Sequence, residues 1–447
     1  MAVNQIQEDV LNKEFENVLF AKNEFISTQL SNLYLLTVNH KTAPVAIREK
    51  FAIPEYRLEE AVQNLKTFKS IQSFLILSTC NRTEIYFKTD DFNNALGDIY
   101  KFFTNYLGLE EKIAKEYSTI LQEHNVINHA YKVAAGLDSL VLGESQVLSQ
   151  VKVAYSTAQK ALILGNTLEI LFQNVIKTAK EVHKSTSLSK NCQSISSAAI
   201  DLADKICGPL KTKQIMVLGA GKMAELALEH IVKLGGSKET VVLNRSPHRI
   251  IEFSDNYKID SSIPFENVYD AMNDVDIVIA ATGAPHFILF ADQFTNLRKN
   301  SNKPLFILDI SMPRNVDSEF GQLPNVKLMD IDSLQLIYSQ TTHTNNEDLK
   351  QAESIILNHI KDFYRQISKE VVSSLIKELK DKVDKIRLTK LEQFTSGKTT
   401  FTLEEIDYIT KNIVSTILHL PINSLKNSST YGTENKKIEI IRELFDL

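Results

Sequence analysis

A cysteine lies at the centre of the polar run Ser78-Thr79-Cys80-Asn81-Arg82-Thr83-Glu84, with Phe74-Leu75-Ile76-Leu77 before it and Ile85-Tyr86-Phe87 after it. Two short apolar runs with a polar break between them predict two strands and their connection. A thiol held partly exposed in such a connection, with a guanidinium two residues on, is placed in an electropositive setting that favours the nucleophilic thiolate. The same residue also fits a small buried side chain, the commoner lot of a free cysteine.

A second cluster follows in Ala134-Ala135-Gly136-Leu137-Asp138-Ser139-Leu140-Val141-Leu142-Gly143-Glu144-Ser145-Gln146, which leads into a helix carrying Val147, Val151, Tyr155 and Ala158. Gln146 and Gln150 are four residues apart and share a helix face beside Glu144 and near Ser139. These groups suit a substrate amine and carboxylate; capping and solvation account for them equally.

From residue 214 the pattern changes. Gln214-Ile215-Met216-Val217-Leu218 predicts a buried strand, Gly219-Ala220-Gly221-Lys222-Met223-Ala224 a turn, and Ala227, Leu228 and Ile231 the helix after it. Strand, glycine turn and helix in that order let backbone and helix N-terminus approach a pyrophosphate, and Ala224 is an accepted replacement for the third glycine. The next strand, Thr240–Leu243, ends in Asn244-Arg245-Ser246, without the acidic residue that would take a ribose 2′-hydroxyl. Arg245 can pair with a 2′-phosphate, so NADP(H) is favoured over NAD(H). Two more strands, at 276–280 before Thr282-Gly283 and at 304–308 before Asp309, extend a parallel sheet.

Other elements must hold these residues. A strand at 34–38, a helix through Ala61, Leu65 and Phe68, and the two strands around Cys80 make an α+β unit. Helices follow through Ala95, Ile99 and Phe102, through Leu168, Leu171, Phe172, Val175 and Ile176, and through Ala198, Leu202 and Ile206. After Pro324 the pattern reads as helical almost to the end. Leu349, Ala352, Ile356, Ile360, Phe363, Ile367 and Val371 form one apolar stripe; Ile406, Ile409, Ile413, Ile417 and Leu420 form another. Such stripes predict a helical bundle that pairs two subunits, although packing within one chain would leave the same pattern.

The chain has 447 residues, 43% of them hydrophobic, which predicts about three domains. Its boundaries are placed at 1–32 for an extension, 33–190, 191–325 and 326–447. The cysteines at 80, 192 and 207 form neither a disulfide framework nor a zinc-ligand pattern, and a reducing cytoplasm suits them. The N-terminus lacks the pattern of a secretory signal, and no apolar run reaches the roughly 20 residues that span a bilayer, so a soluble protein is expected. A net charge of −5 argues against a surface that grips a polyanion everywhere. A local patch of Lys177, Lys180, Lys184 and Lys190 fits either RNA or a solvated helix face.

Taken in order, these segments resemble the glutamyl-tRNA reductase family from about residue 33 onward. The resemblance is carried by Asn39-His40-Lys41-Thr42-Ala43-Pro44, the Ser78–Glu84 run, Gly136-Leu137-Asp138-Ser139 through Gly143-Glu144, the glycine turn at 219, and Asp309-Ile310-Ser311-Met312-Pro313-Arg314. It implies three domains: an α+β catalytic domain, a Rossmann-like NADP-binding domain, and a long helix with a C-terminal helical dimerisation domain. It also implies an NADPH-dependent cytoplasmic enzyme that reduces glutamyl-tRNA to glutamate-1-semialdehyde, the entry to tetrapyrrole synthesis by the five-carbon pathway.

By the same matching Cys80 is the nucleophile and His129 a second catalytic residue. Thr79, Asn81, Arg82, Ser139, Glu144, Ser145, Gln146 and Gln150 fall on glutamyl-binding positions, and Gly219 to Ala224 on the cofactor loop. Ser145 stands where the family motif usually carries proline, which leaves one more N–H at the helix start. Arg82 is expected to hold the substrate carboxylate. The chemistry fits the residues: a thiolate displaces tRNA from the activated ester, and the thioester so formed accepts hydride more readily than a free carboxylate. A hinge near 185–212 or 310–330 is expected to bring the two domains together. The resemblance implies a homodimer, with the aminomutase that acts next as a candidate partner. The alternatives are a small-molecule NADP dehydrogenase of the shikimate dehydrogenase type and a non-enzymatic RNA-binding scaffold.

Overall fold

The computed structural model describes residues 30–139, 142–188, 195–244, 251, 253, 257, 259–298, 303–334, 337, 346–395, 402–426 and 434–445. Leu33–Ile356 form one compact unit, and Leu357–Leu447 belong to a second.

The first unit holds two sheets. The N-terminal one has four strands: β1 (Leu33–Asn39), β2 (Ser73–Ser78), β3 (Arg82–Lys88) and β4 (Thr119–Gln122), in the order β2-β3-β1-β4 with antiparallel neighbours. β2 and β3 form a hairpin whose last pair is Ser78 with Thr83. The Thr79 N–H donates to the Arg82 carbonyl at 2.8 Å and closes the turn, which leaves Cys80 at its tip. Around this sheet lie α1 (Val45–Phe51), α2 (Leu58–Leu65), α3 (Phe92–Leu107), α4 (Glu111–Tyr117), α5 (His124–Ala134), α6 (Ser145–Lys160) and α7 (Gly165–Ser185). α2 buries Leu58, Ala61, Val62 and Leu65 along one stripe, and α6 and α7 pack on β2.

α8 (Ile195–Cys207) leads into the second sheet, made of β5 (Gln214–Leu218), β6 (Glu239–Leu243), β7 (Ser261–Ser262), β8 (Ile277–Ala280), β9 (Leu305–Asp309) and β10 (Val326–Asp330). All pairs are parallel, in the order β10-β9-β8-β5-β6-β7. This is the doubly wound order of a dinucleotide-binding fold, with its switch point between β5 and β8. α9 (Lys222–Lys233), α10 (Val268–Asp274) and α11 (Ala291–Arg298) complete the layers. Ile215, Val217, Ile277 and Ile279 enter one core and Met216, Leu218, Val278 and Ala280 the other. Burial on both faces explains the unbroken apolar runs of these strands.

One expectation fails here. The pattern after Pro324 predicts helix, yet Val326–Asp330 is β10, the sheet's edge, paired with β9. Its residues are half-buried with Lys327 exposed, the pattern of an edge strand covered on one side, and a five-residue run is too short for periodicity to separate from helix. The nucleotide-binding sheet therefore continues past the expected boundary at 325.

Helix α12 (Asn346–Thr395) runs for 50 residues, followed by α13 (Leu403–Lys426) and α14 (Glu434–Phe445). The stripe through Ala352, Ile356, Ile360, Phe363, Ile367 and Val371 is buried, whereas Ile409, Ile413 and Ile417 on α13 are exposed. No helix among the described residues is long and apolar enough to cross a membrane.

Candidate active site

Cys80 lies on the wall of a cavity of about 1090 Å³. Thr79 and Cys80 from the hairpin, Gln146 and Gln150 from α6, Gly221, Lys222 and Met223 from the glycine turn, and Thr282, Gly283, Ser311 and Met312 from the loops after β8 and β9 line it together. Residues more than 140 positions apart thus face one space. The half-buried Cys80 also packs against the apolar core that includes Ala220 and Ala224.

The thiol is half-buried, but it is not in the electropositive setting expected from its neighbours. Burial pushes it up to about 12, and the Glu144 carboxylate pushes in the same direction; Arg48 and Arg82 pull the other way and are outweighed. The reason lies in where Arg82 goes. Arg82, Glu84 and Tyr86 alternate along β3 and share one face, with Asn39 and Thr37 of β1 paired opposite Arg82 and Glu84. Arg82 Nη1 donates to Glu84 Oε1 (3.1 Å) and Asp138 Oδ2 (2.8 Å), and its Nη2 to the Asp138 carbonyl (2.5 Å). The Glu84 Oε1 atom also accepts from Thr37 Oγ1 and meets His129 Nε2 at 2.7 Å, while Tyr86 Oη donates to Oε2. Burial alone would raise the Glu84 carboxyl, but His129 and Arg82 together hold it down at about 2. Burial opposes ionisation of Asp138 too, and is overcome by Arg82 and Lys41. The guanidinium is committed to two carboxylates and a carbonyl.

Gly143 folds the second cluster toward this network. Its φ is +85°, and a Cβ there would lie 2.6 Å from the Leu188 backbone, so only glycine fits. The fold-back leaves Glu144 buried at the start of α6 with its Oε2 unpartnered; Gln146 Nε2 is buried and unpartnered as well. Burial raises the Glu144 carboxyl to about 7, against a smaller opposite pull from Arg82. A buried acceptor and a buried donor left without partners beside a cavity are groups prepared for a polar ligand.

The glycine turn passes the test for a dinucleotide. Gly219 has φ +105°, and a Cβ would come within 2.5 Å of the Ala281 carbonyl oxygen, so this position belongs to tight packing. At Gly221 a Cβ would meet nothing within 4 Å, and α9 starts there without a side-chain cap. Open space in front of free N–H groups at a helix N-terminus is what a pyrophosphate needs. Lys222 pairs with Glu225 at 2.7 Å, and Asn244 is half-buried just past β6. Arg245 and Ser246 lie outside the described residues, as do Cys192, Lys190 and the side chain of Ser145.

Known proteins give the arrangement a family. Residues 36–186 match the family model described as glutamyl-tRNAGlu reductase, N-terminal domain, and residues 351–447 that of its dimerisation domain. A glutamyl-tRNA reductase of Carboxydothermus hydrogenoformans is 35% identical over 418 residues, 93% of each chain. The chain belongs to the glutamyl-tRNA reductase family. A second member, from Geobacter sulfurreducens, is 33% identical over 93% of this chain and 96% of its own. The solved glutamyl-tRNA reductase from Methanopyrus kandleri shares the fold, with a TM-score of 0.50 at 24% identity, over 94% of this chain and all of that one. Residues 201–337 match a shikimate/quinate 5-dehydrogenase model, a likeness confined to the part that builds a pyridine-nucleotide fold.

Within the family architecture, the cavity gathers some of the anticipated residues and leaves others aside. Thr79, Cys80, Gln146, Gln150, Gly221, Lys222 and Met223 line it. Asn81, Arg82, His129, Ser139 and Glu144 are not among its lining residues, and of these Arg82 and His129 belong to the Glu84 network. Lys177, Lys180 and Lys184 lie on the exposed face of α7, away from the cavity lining.

Sequence reasoning missed what joins the two sheets. Arg48 on α1 donates from Nη2 to Asp332 Oδ1 at 2.7 Å and from Nη1 to Oδ2 at 3.3 Å. Glu49, its neighbour, accepts from Arg314 Nε (3.0 Å) and Nη2 (2.9 Å). Two arginine forks crossing in opposite directions hold the cysteine side to the nucleotide side. Asp309, also unassigned, is buried and accepts from the N–H groups of Ser311, Asn315 and Val316, which shapes the Ser311-Met312 loop against the cavity. Burial raises its carboxyl to about 6 despite those three donors.

Proposed function

We propose that this protein reduces glutamyl-tRNA to glutamate-1-semialdehyde with NADPH and releases tRNA, the first step of tetrapyrrole biosynthesis by the five-carbon pathway. The observation that carries this reading is that Cys80 and the glycine turn line one cavity. An acyl group on that sulfur would sit where a nicotinamide can reach it.

Cys80 attacks the ester carbonyl, tRNA leaves through its 3′-oxygen, and the glutamyl group stays on sulfur as a thioester. Glu144, with an unpartnered oxygen, takes the substrate ammonium. That cation neutralises a carboxylate that now holds the thiol high, so binding of the right substrate itself favours the thiolate. Gln146 and Gln150 orient the substrate, and Thr79 shapes the turn by accepting the Asn81 N–H at 3.1 Å. His129, fixed by Glu84, and Arg82, fixed by Asp138, set the hairpin beneath the nucleophile; Ser139 and Asn81 support it. Gly219 to Ala224 and the α9 N-terminus hold the dinucleotide, with Asn244, Arg245 and Ser246 at the adenosine ribose. NADPH supplies hydride when bound, and the residues of this chain supply position and exclusion of water. The exposed face of α13 supports a homodimer, and the residue composition supports a cytoplasmic protein; a complex with the aminomutase that consumes the product is consistent with the lability of an aminoaldehyde.

The test is NADPH oxidation on adding charged tRNA. Oxidation with glutamyl-tRNA, and none with free glutamate or uncharged tRNA, is the expected result. Binding of uncharged tRNA without oxidation of NADPH by the charged form would contradict it.

A further inference from the structure

We propose that the cavity wall made by Tyr56 and by Lys152, Ser156 and Lys160 of α6 binds the single-stranded 3′ end of the nucleic acid that delivers the glutamyl group. This rests on the reading of Cys80 as the acyl acceptor.

The wall leads away from the sulfur. α6 begins next to Glu144, whose charge reaches Cys80, and ends near the start of β2, where the Phe74 N–H donates to the Ile163 carbonyl at 3.1 Å. Gln146 and Gln150 line the cavity at the near end, and Lys152, Ser156 and Lys160 continue the lining outward. At about 1.5 Å per residue the two lysines stand about 12 Å apart along the helix, too far to serve one phosphate and suited to two along a strand. Neither makes an ion pair with another described residue.

Tyr56 is 69% exposed and lines the same space, a large ring without a core to enter. Lysines that track a backbone, with an aromatic ring beside them on which a base can stack, are the means by which single strands are held without reading sequence. Glu55 and Glu59 lie on the Tyr56 side and repel phosphates, which keeps the backbone on the α6 side and the ribose hydroxyls toward the carboxylates. The volume, about 1090 Å³, lies just above the range for one small ligand, so a nucleotide end has room beside the cofactor.

The experiment compares the full-length protein with K152Q/K160Q and with Y56A. Three measurements are made: steady-state kinetics on glutamyl-tRNA over a salt series, turnover of a glutamyl ester of adenosine that has no phosphate, and binding of uncharged tRNA by fluorescence anisotropy. In K152Q/K160Q the KM for glutamyl-tRNA rises at least tenfold with kcat retained. The slope of log(kcat/KM) against log salt becomes shallower by about 1.4, the loss of two single-strand phosphate contacts. Turnover of the adenosyl ester is retained, and in Y56A its KM rises along with that for glutamyl-tRNA. An unchanged KM and salt slope, or an equal loss on the phosphate-free ester, overturns the proposal. No turnover of glutamyl-tRNA by the unaltered protein would strike the proposed function instead. In that event equal affinity of the parent and K152Q/K160Q for uncharged tRNA still overturns the wall, and weakened affinity supports it.

Discussion

Among the residues beside the cavity, Glu144 occupies a place in the fold that costs stability. Burial lifts its carboxyl from the ordinary 4.5 to about 7, so between those pH values the folded chain keeps a proton that the unfolded chain has released. Stability therefore falls as pH rises through that window. E144Q should be more stable than the parent at pH 8, by about 3 kcal/mol at roughly 1.36 kcal/mol per pKa unit, and no more stable at pH 4. Urea unfolding at both values checks this; an equal effect at the two would mean the carboxyl titrates normally. The two leading glycines separate in the same way. G219A meets both a left-handed φ and the Ala281 oxygen and should unfold at lower temperature, whereas G221A places its methyl in open space and should raise the KM for NADPH with the melting temperature unchanged. Residue types in sequence identified Cys80, the glutamines and the glycines as the places for chemistry. They did not show that the thiol is held high, because Arg82 looks like its neighbour and is in fact spent on Glu84 and Asp138, the second of them 56 residues on. A signal was present, since Arg82, Glu84 and Tyr86 recur at every second position of β3 and so share a face.

At the scale of elements, the crossed pairs Arg48–Asp332 and Glu49–Arg314 set the distance between the hairpin and the glycine turn. They fasten the hairpin side to the dinucleotide side, so on the proposed mechanism their loss should divide the two half-reactions. R314E puts two acidic groups together. It should lower the rate of NADPH oxidation by about tenfold or more, near 1.4 kcal/mol in the barrier, while transfer of the glutamyl group to Cys80 continues. Adding E49R restores the pair with its charges exchanged and should recover most of the rate; a double variant no better than R314E would remove the coupling. Most of the strands and helices here were legible from period and from apolar runs. β10 was not, because a half-buried edge strand of five residues leaves too short a pattern. The latch was not legible either, since it joins positions more than 260 apart on the chain and no local pattern marks a salt bridge across that separation.

For the whole molecule, the division of labour read from the sequence is present in the fold: an antiparallel sheet that offers a thiol, a doubly wound sheet that offers a dinucleotide site, and long helices after them. The two apolar stripes at the C-terminal end part company. That of α12 is buried, and Ile409, Ile413 and Ile417 of α13 remain open, a face suited to a second copy of the chain. I413D/I417D should therefore sediment as a monomer where the parent sediments as a dimer; a dimer in both would place the contact elsewhere. On the proposed mechanism the glutamyl group is carried on the sulfur of Cys80 before it is reduced. The most direct test is to mix the protein with labelled glutamyl-tRNA in the absence of NADPH, quench in acid and map the label by mass spectrometry. One hydroxylamine-labile glutamyl adduct is expected on the peptide containing Cys80, absent in C80A and lost from the parent when NADPH is added. An adduct on another residue, or aldehyde formation by C80A at the parental rate, would contradict it.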